Sequence, residues 1–93
     1  MMIERIGSPA MLEQLAEECV ELAHAALKMA RALRGENPTP ITPEEAVEKL
    51  ISEYTDVEQC ASELHLVANW EQMEEKRQRF KERWEGQNGT DRV

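Results

Sequence analysis

Aromatic residues make up only 4% of the chain, and glycine and proline number four each. That scarcity excludes a β-sandwich or small barrel, which needs aromatic and β-branched strands with frequent turns between them. Cysteine is scarcer still: Cys19 and Cys60 form neither a disulfide framework nor a zinc-knuckle spacing. Both read as reduced core thiols. Basic residues are outnumbered, eleven against nineteen acidic ones, for a net charge of −8. A chain so charged is a poor non-specific binder of nucleic acid, which requires clustered Lys and Arg to displace counterions. No apolar run approaches the roughly 20 residues that cross a bilayer. Met1 to Gly7 lacks the basic and apolar regions of a signal peptide. The expectation is a cytoplasmic protein without a membrane or nucleic-acid partner.

What the chain does contain is helix-forming sequence: long runs of Ala, Leu, Glu, Lys and Arg. Its 93 residues suffice for one domain. A domain of this size buries only about 60% of the surface its unfolded chain exposes, so oligomerisation is a common remedy. A first helix is expected from a Ser8 cap and Pro9 to Arg34, closed by Gly35. Leu12, Leu15, Cys19, Leu22, Ala26, Met29 and Leu33 recur along it at steps of three and four. Val20, Ala23, Leu27 and Ala30 widen that seam to about half the circumference, more than one partner helix covers.

Glu36 to Pro40 reads as a loop because of its Asn-Pro and Thr-Pro pairs. Thr42 to Glu45 then forms a capping box opening a second helix, with Val47, Leu50, Tyr54, Val57, Ala61, Leu64 and Ala68 as its seam. Either Asn69 caps a third helix or the second bends there. Trp70, Met73, Phe80 and Trp84 continue the spacing to about Glu85, with Arg77 at one seam position, and read as core before base platform. The predicted fold is all-α: an antiparallel helical bundle of three main helices per protomer, completed by dimerisation. The domain is expected over residues 1–86, with a mobile tail from Gln87 to Val93.

Most acids fall on wet helix faces, but a few do not. At 100° per residue, Glu53 lies about 20° from Cys60 and from Leu64, inside the apolar stripe of its helix. Asp56 lies at the edge of that stripe; Glu18 lies at the edge of the first helix's arc, with Glu21 one step further out. An ionised carboxylate facing a core costs several kcal/mol unless a basic group or a cation compensates it. Glu18 and Glu21 lie roughly 23 Å before the first helix ends, and Glu53 and Asp56 roughly 19 Å after the second begins, at 1.5 Å per residue. In an antiparallel pair the four carboxylates therefore reach one level, where a hard ion such as Mg²⁺ or Mn²⁺ suits oxygen ligands.

Glu17-Glu18-Cys19-Val20-Glu21 and, some thirty residues on, Glu53-Tyr54-Thr55-Asp56 resemble the E-E-x-x-E … E-x-x-D signature of the MazG-like all-α nucleoside triphosphate pyrophosphohydrolases. The similarity extends to Leu22, Ala25 and Lys28 after the first motif and to Val57 after the second. It implies a helical protomer assembled as a homodimer or homotetramer. It also implies Mg²⁺-dependent cleavage between the α and β phosphates of a nucleoside triphosphate, giving a monophosphate and pyrophosphate. The resemblance places metal ligands on Glu18, Glu21, Glu53 and Asp56. Glu17 matches the first Glu of the motif, and Glu17 or Glu21 would accept the proton of the attacking water. Lys28, on the face of Glu21, would meet phosphate. The family's phosphate-contacting base after the second motif falls among Lys76, Arg79 and Arg83. His24 and His65 read as surface or interface residues. The alternative is a non-catalytic helical dimer, an interaction or metal-binding regulatory module whose acids are simply solvated.

Overall fold

The computed structural model describes residues 1–35 and 41–89. The expected Glu36–Pro40 loop and the last residues of the expected tail, 90–93, lie outside the described residues. Every described element is a helix: α1 (Ile3–Ile6), α2 (Ser8–Arg34), α3 (Pro43–Glu63) and α4 (Trp70–Gly89). The all-α expectation holds.

The ends of the helices follow local chemistry, with some corrections to the sequence reading. Gly7, at φ 87°, rather than Ser8 precedes α2, and Pro9 sits in the first turn where its missing N–H is not needed. Gly35 closes α2 in the left-handed conformation, φ 64°, donating its N–H to the Arg31 carbonyl at 2.9 Å. Thr42 caps α3 as expected: its Oγ1 accepts the Glu45 N–H at 3.1 Å. The apolar spacing through Leu64 and Ala68 suggested a longer α3, yet the helix stops at Glu63. There His65 N–H donates to the Ser62 carbonyl and Leu66 N–H to the Ala61 carbonyl, closing a Schellman motif with His65 at φ 56°. Asn69 then opens α4, its Oδ1 accepting the Gln72 N–H at 3.0 Å.

His65 is the only non-glycine residue at positive φ among the described residues. Such a conformation costs an L-residue with a Cβ about 1 kcal/mol. His65→Gly is therefore expected to raise the melting temperature by a few degrees. A fall would mean that the imidazole makes a contact worth more than the strain.

Two further features depart from expectation. The short helix α1 precedes α2, and the buried Glu63 carboxylate holds its start, accepting N–H groups from Met2 at 3.0 Å and Ile3 at 3.4 Å. At the other end, α4 continues to Gly89, past the expected boundary at residue 86. One interior glycine such as Gly86 weakens a helix by only about 1 kcal/mol, too little to end it.

Helices α2 and α3 pack against each other. Glu63 at the end of α3 meets the residues just before α2, so the two run antiparallel. Their shared core is thin: Met11, Ala25, Ala46 and Cys60 are buried, together with Glu53 and Glu63. The expected three-helix bundle does not form within a protomer, because α4 shares no packed interface with α2 or α3. Trp70, Phe80 and Trp84, expected as core, are 74%, 68% and 54% exposed. Cys19, also expected as core, is an exposed free thiol.

The consequence is an open shape. The radius of gyration is 17.7 Å, where a compact chain of this length has about 12 Å. The accessible surface of 7612 Å² exceeds by about 2,000 Å² that of a compact monomer of this mass. The exposed apolar residues of α2 and α3 are patterned. On α2 the exposed residues Leu12, Cys19, Val20, Ala23, Ala26 and Leu27 centre about 130° round the helix from its contact with α3. On α3 the exposed Ile51 and Tyr54 lie about 110° or more round from the contact in the same rotational sense. Because the helices are antiparallel, equal rotation brings both arcs to one side of the pair. Glu21, Lys28 and Asp56 turn to the other side.

Candidate metal centre

The antiparallel register brings acids from the two helices to one level. Glu18 on α2 is half-buried, Glu53 on α3 is buried, and Asp56, one turn further along α3, is exposed. One carboxylate oxygen from each lies within 4.8 Å of the other two. Ligand oxygens on opposite sides of a six-coordinate Mg²⁺ stand about 4.2 Å apart, from metal–oxygen distances of 2.0–2.1 Å. The donor set therefore matches a hard divalent ion in chemistry. At most one pair of the three can stand opposite, neighbouring ligand oxygens of such an ion are only about 2.9 Å apart, and carboxylates spread over as much as 4.8 Å must draw in to share it.

Two protein partners already touch this cluster. Gln14 Nε2 donates to Glu18 Oε1 at 2.7 Å from one turn earlier on α2. Lys49 Nζ lies 2.7 Å from Glu53 Oε1, one turn earlier on α3. The Glu53 hydrogen bond and charge raise the Lys49 ammonium above its ordinary pKa, with Glu21 and Asp56 adding smaller pushes the same way. The neighbouring Cys60 thiol is also pushed up, first by burial and then by the charges of Glu18 and Asp56.

The remaining expected site residues are distributed unevenly. Glu21 is not one of the three converging acids; it lines an adjoining cleft of about 340 Å³ together with His24, Lys28, Arg31 and Lys49. Lys28 shares that cleft with Glu21. Glu17 is exposed on α2 and lies outside the three-acid group. Lys76, Arg79 and Arg83 sit on α4, which the protomer does not pack against the hairpin, so its own fold does not bring them to the carboxylates. His24 and His65 are exposed.

Sequence reasoning gave no role to Lys49, Gln14, Arg31 or Glu63. The first two had a readable signal, since Lys49 and Glu53, like Gln14 and Glu18, are spaced i,i+4 on a helix. Arg31 and Glu63 had none, because both roles depend on where a second element lies. A comparison of the chain with family models, with curated proteins and with solved structures finds no match in any of the three.

Proposed function

We propose that this protein is a Mg²⁺-dependent nucleoside triphosphate pyrophosphohydrolase, cleaving the α–β phosphoanhydride to a nucleoside monophosphate and pyrophosphate. The observation that carries the reading is the convergence of Glu18, Glu53 and Asp56 from two antiparallel helices, with Glu53 buried. In this reading those three carboxylates hold Mg²⁺ or Mn²⁺, and Glu21 completes the set from the edge of the cleft. The ion, when bound, neutralises phosphate charge and lowers the pKa of water. Glu21 or Glu17 takes the proton from the attacking water, and Lys28 orients the phosphates.

The working unit in this reading is a homodimer, with a homotetramer as its extension. The apolar side of the α2–α3 pair supports it. Leu12, Val20, Leu27, Ile51 and Tyr54 are all exposed there, large apolar side chains that a second copy would cover. Two such faces laid together would make a four-helix bundle and leave Glu21 and Asp56 on the outside. In an assembly of this kind Lys76, Arg79 and Arg83 would have to reach a site from a neighbouring protomer.

A second reading has its own observation. Lys49 already neutralises Glu53, and no buried side-chain nitrogen or oxygen among the described residues lacks a hydrogen-bond partner. A non-catalytic dimer or metal-binding regulatory module would need no more. A panel of common and damaged nucleoside triphosphates, incubated with Mg²⁺ or Mn²⁺ and assayed for pyrophosphate, separates the two. Release is expected from at least one triphosphate and none from Glu53→Gln. Silence across the panel, with the ion shown to bind, would favour the regulatory module.

A further inference from the structure

The α2–α3 hairpin carries eleven carboxylates and only four basic side chains, Lys28, Arg31, Arg34 and Lys49. Three of those four line the same cleft, alongside His24, with Glu21 at its wall. Over the rest of the hairpin an anionic ligand meets net negative charge. In this cleft it meets cations from both helices.

The chemistry of the three differs in a way that suits a chain of phosphates. Arg31 offers a planar fork that can bind phosphate oxygens in pairs, whereas Lys28 and Lys49 are point charges on flexible stems. From Glu21, Lys28 stands about 10 Å and Arg31 about 15 Å along α2, at 1.5 Å per residue. The positive side chains therefore extend away from the acids toward the end where α2 stops and α3 starts, a graded track rather than a single spot.

Lys49 belongs to both places: it is paired with Glu53 and it also lines the cleft. Its stem is exposed enough to swing. A divalent ion held by Glu53 would compete with the ammonium, leaving Lys49 free to add its charge to the cleft.

We infer that this cleft holds the phosphate chain of the substrate, with Arg31 and Lys28 as fixed contacts and Lys49 exchanging Glu53 for phosphate when the ion binds. The inference rests on reading the three carboxylates as the ion's ligands. It assigns phosphate recognition to the hairpin itself, in cis, rather than to the α4 cations. Ion and phosphate binding are then coupled, each favouring the other by the same factor.

Calorimetric titration of the full chain tests this without turnover. The probes are inorganic tripolyphosphate alone and Mn²⁺ alone, at fixed ionic strength. Arg31→Gln is expected to weaken tripolyphosphate binding about tenfold or more, as the loss of charge-assisted hydrogen bonds does. Arg79→Gln and Arg83→Gln should stay within about twofold of the parent. Lys49→Gln should bind Mn²⁺ several-fold more tightly, since its competing ammonium is gone, and Lys49→Arg should not. Circular dichroism melts confirm that each variant is folded, and Arg31→Gln carries the test if Lys49→Gln is not.

No tripolyphosphate binding by the parent, or an Arg79→Gln loss as large as that of Arg31→Gln, would overturn the cleft. Unchanged Mn²⁺ affinity in folded Lys49→Gln would overturn the exchange. The underlying reading fails separately. If tripolyphosphate binds through Arg31 but no triphosphate is cleaved, the cleft stands and the pyrophosphohydrolase does not. If triphosphates are cleaved while folded Arg31→Gln binds as the parent does, the cleft falls alone.

Discussion

Asp56→Asn is expected to melt a few degrees above the parent in metal-free buffer and to lose the parent's stabilisation by Mg²⁺ or Mn²⁺. Carboxylates with oxygens within 4.8 Å of one another repel, though solvent screens the exposed Asp56. Lys49 offsets part of this at Glu53, but the three acids together outnumber it. Removing one charge relieves the metal-free state. In the parent, an ion held at a hundredfold excess over its Kd stabilises the folded form by about 2.7 kcal/mol, on the order of 10 °C for a domain of this size. Loss of a ligand should weaken ion binding at least a hundredfold and lower pyrophosphate release to match. Glu53→Gln should behave alike toward the ion. Differential scanning fluorimetry with and without divalent salt, at one protein concentration, reads both effects. A parent indifferent to divalent ions, or an Asp56→Asn variant that is less stable without them, would mean that the three acids do not form an ion site.

The acid convergence was legible because it needs only two periodicities and a length. Glu53 fell inside an apolar stripe, and equal distances from a short connection placed it level with Glu18. Those quantities survive any detail of packing. Glu21 was read as a fourth member on the same grounds, but it lies along the adjoining cleft, because a position 60° further round α2 turns out of the helix contact. Helix ends were legible where the capping side chain is local, as at Thr42 and Asn69. The end of α3 was not, since His65 adopts a conformation that glycine usually supplies and nothing in its neighbours announces it.

What depends on distant contacts stayed hidden. Glu63 carries no local signal of its part, which is to accept N–H groups from Met2 and Ile3 some sixty residues away. The aromatic spacing of α4 puts Trp70, Phe80 and Trp84 near one line of an otherwise polar helix, and such a stripe does not state which surface, if any, buries it. Lys49 is the instructive omission. A lysine one turn before a core-facing glutamate answers the question of compensation without any ion, and its exposure and second position at the cleft leave room for both answers.

Ala23→Glu is expected to split the assembly and to lower the melting temperature by more than 10 °C at a given concentration. Ala23 is exposed on α2, at the middle of the arc from Leu12 to Leu27. In an isolated protomer the substitution replaces one good helix former with another on a wet face, and changes of that kind stay within about 0.5 kcal/mol. If two copies bury this face against each other, the same change places an unpaired carboxylate in the contact from each side. Each costs several kcal/mol, and an antiparallel pair with a thin core of its own has little stability to lose. Sedimentation velocity then shows a monomer where the parent shows a dimer. Glu45→Ala, on the exposed polar side of α3, is the matched control and should leave the mass unchanged. An Ala23→Glu protein with the parent's mass and melting temperature would mean that the apolar face of the hairpin is covered by something other than a second copy.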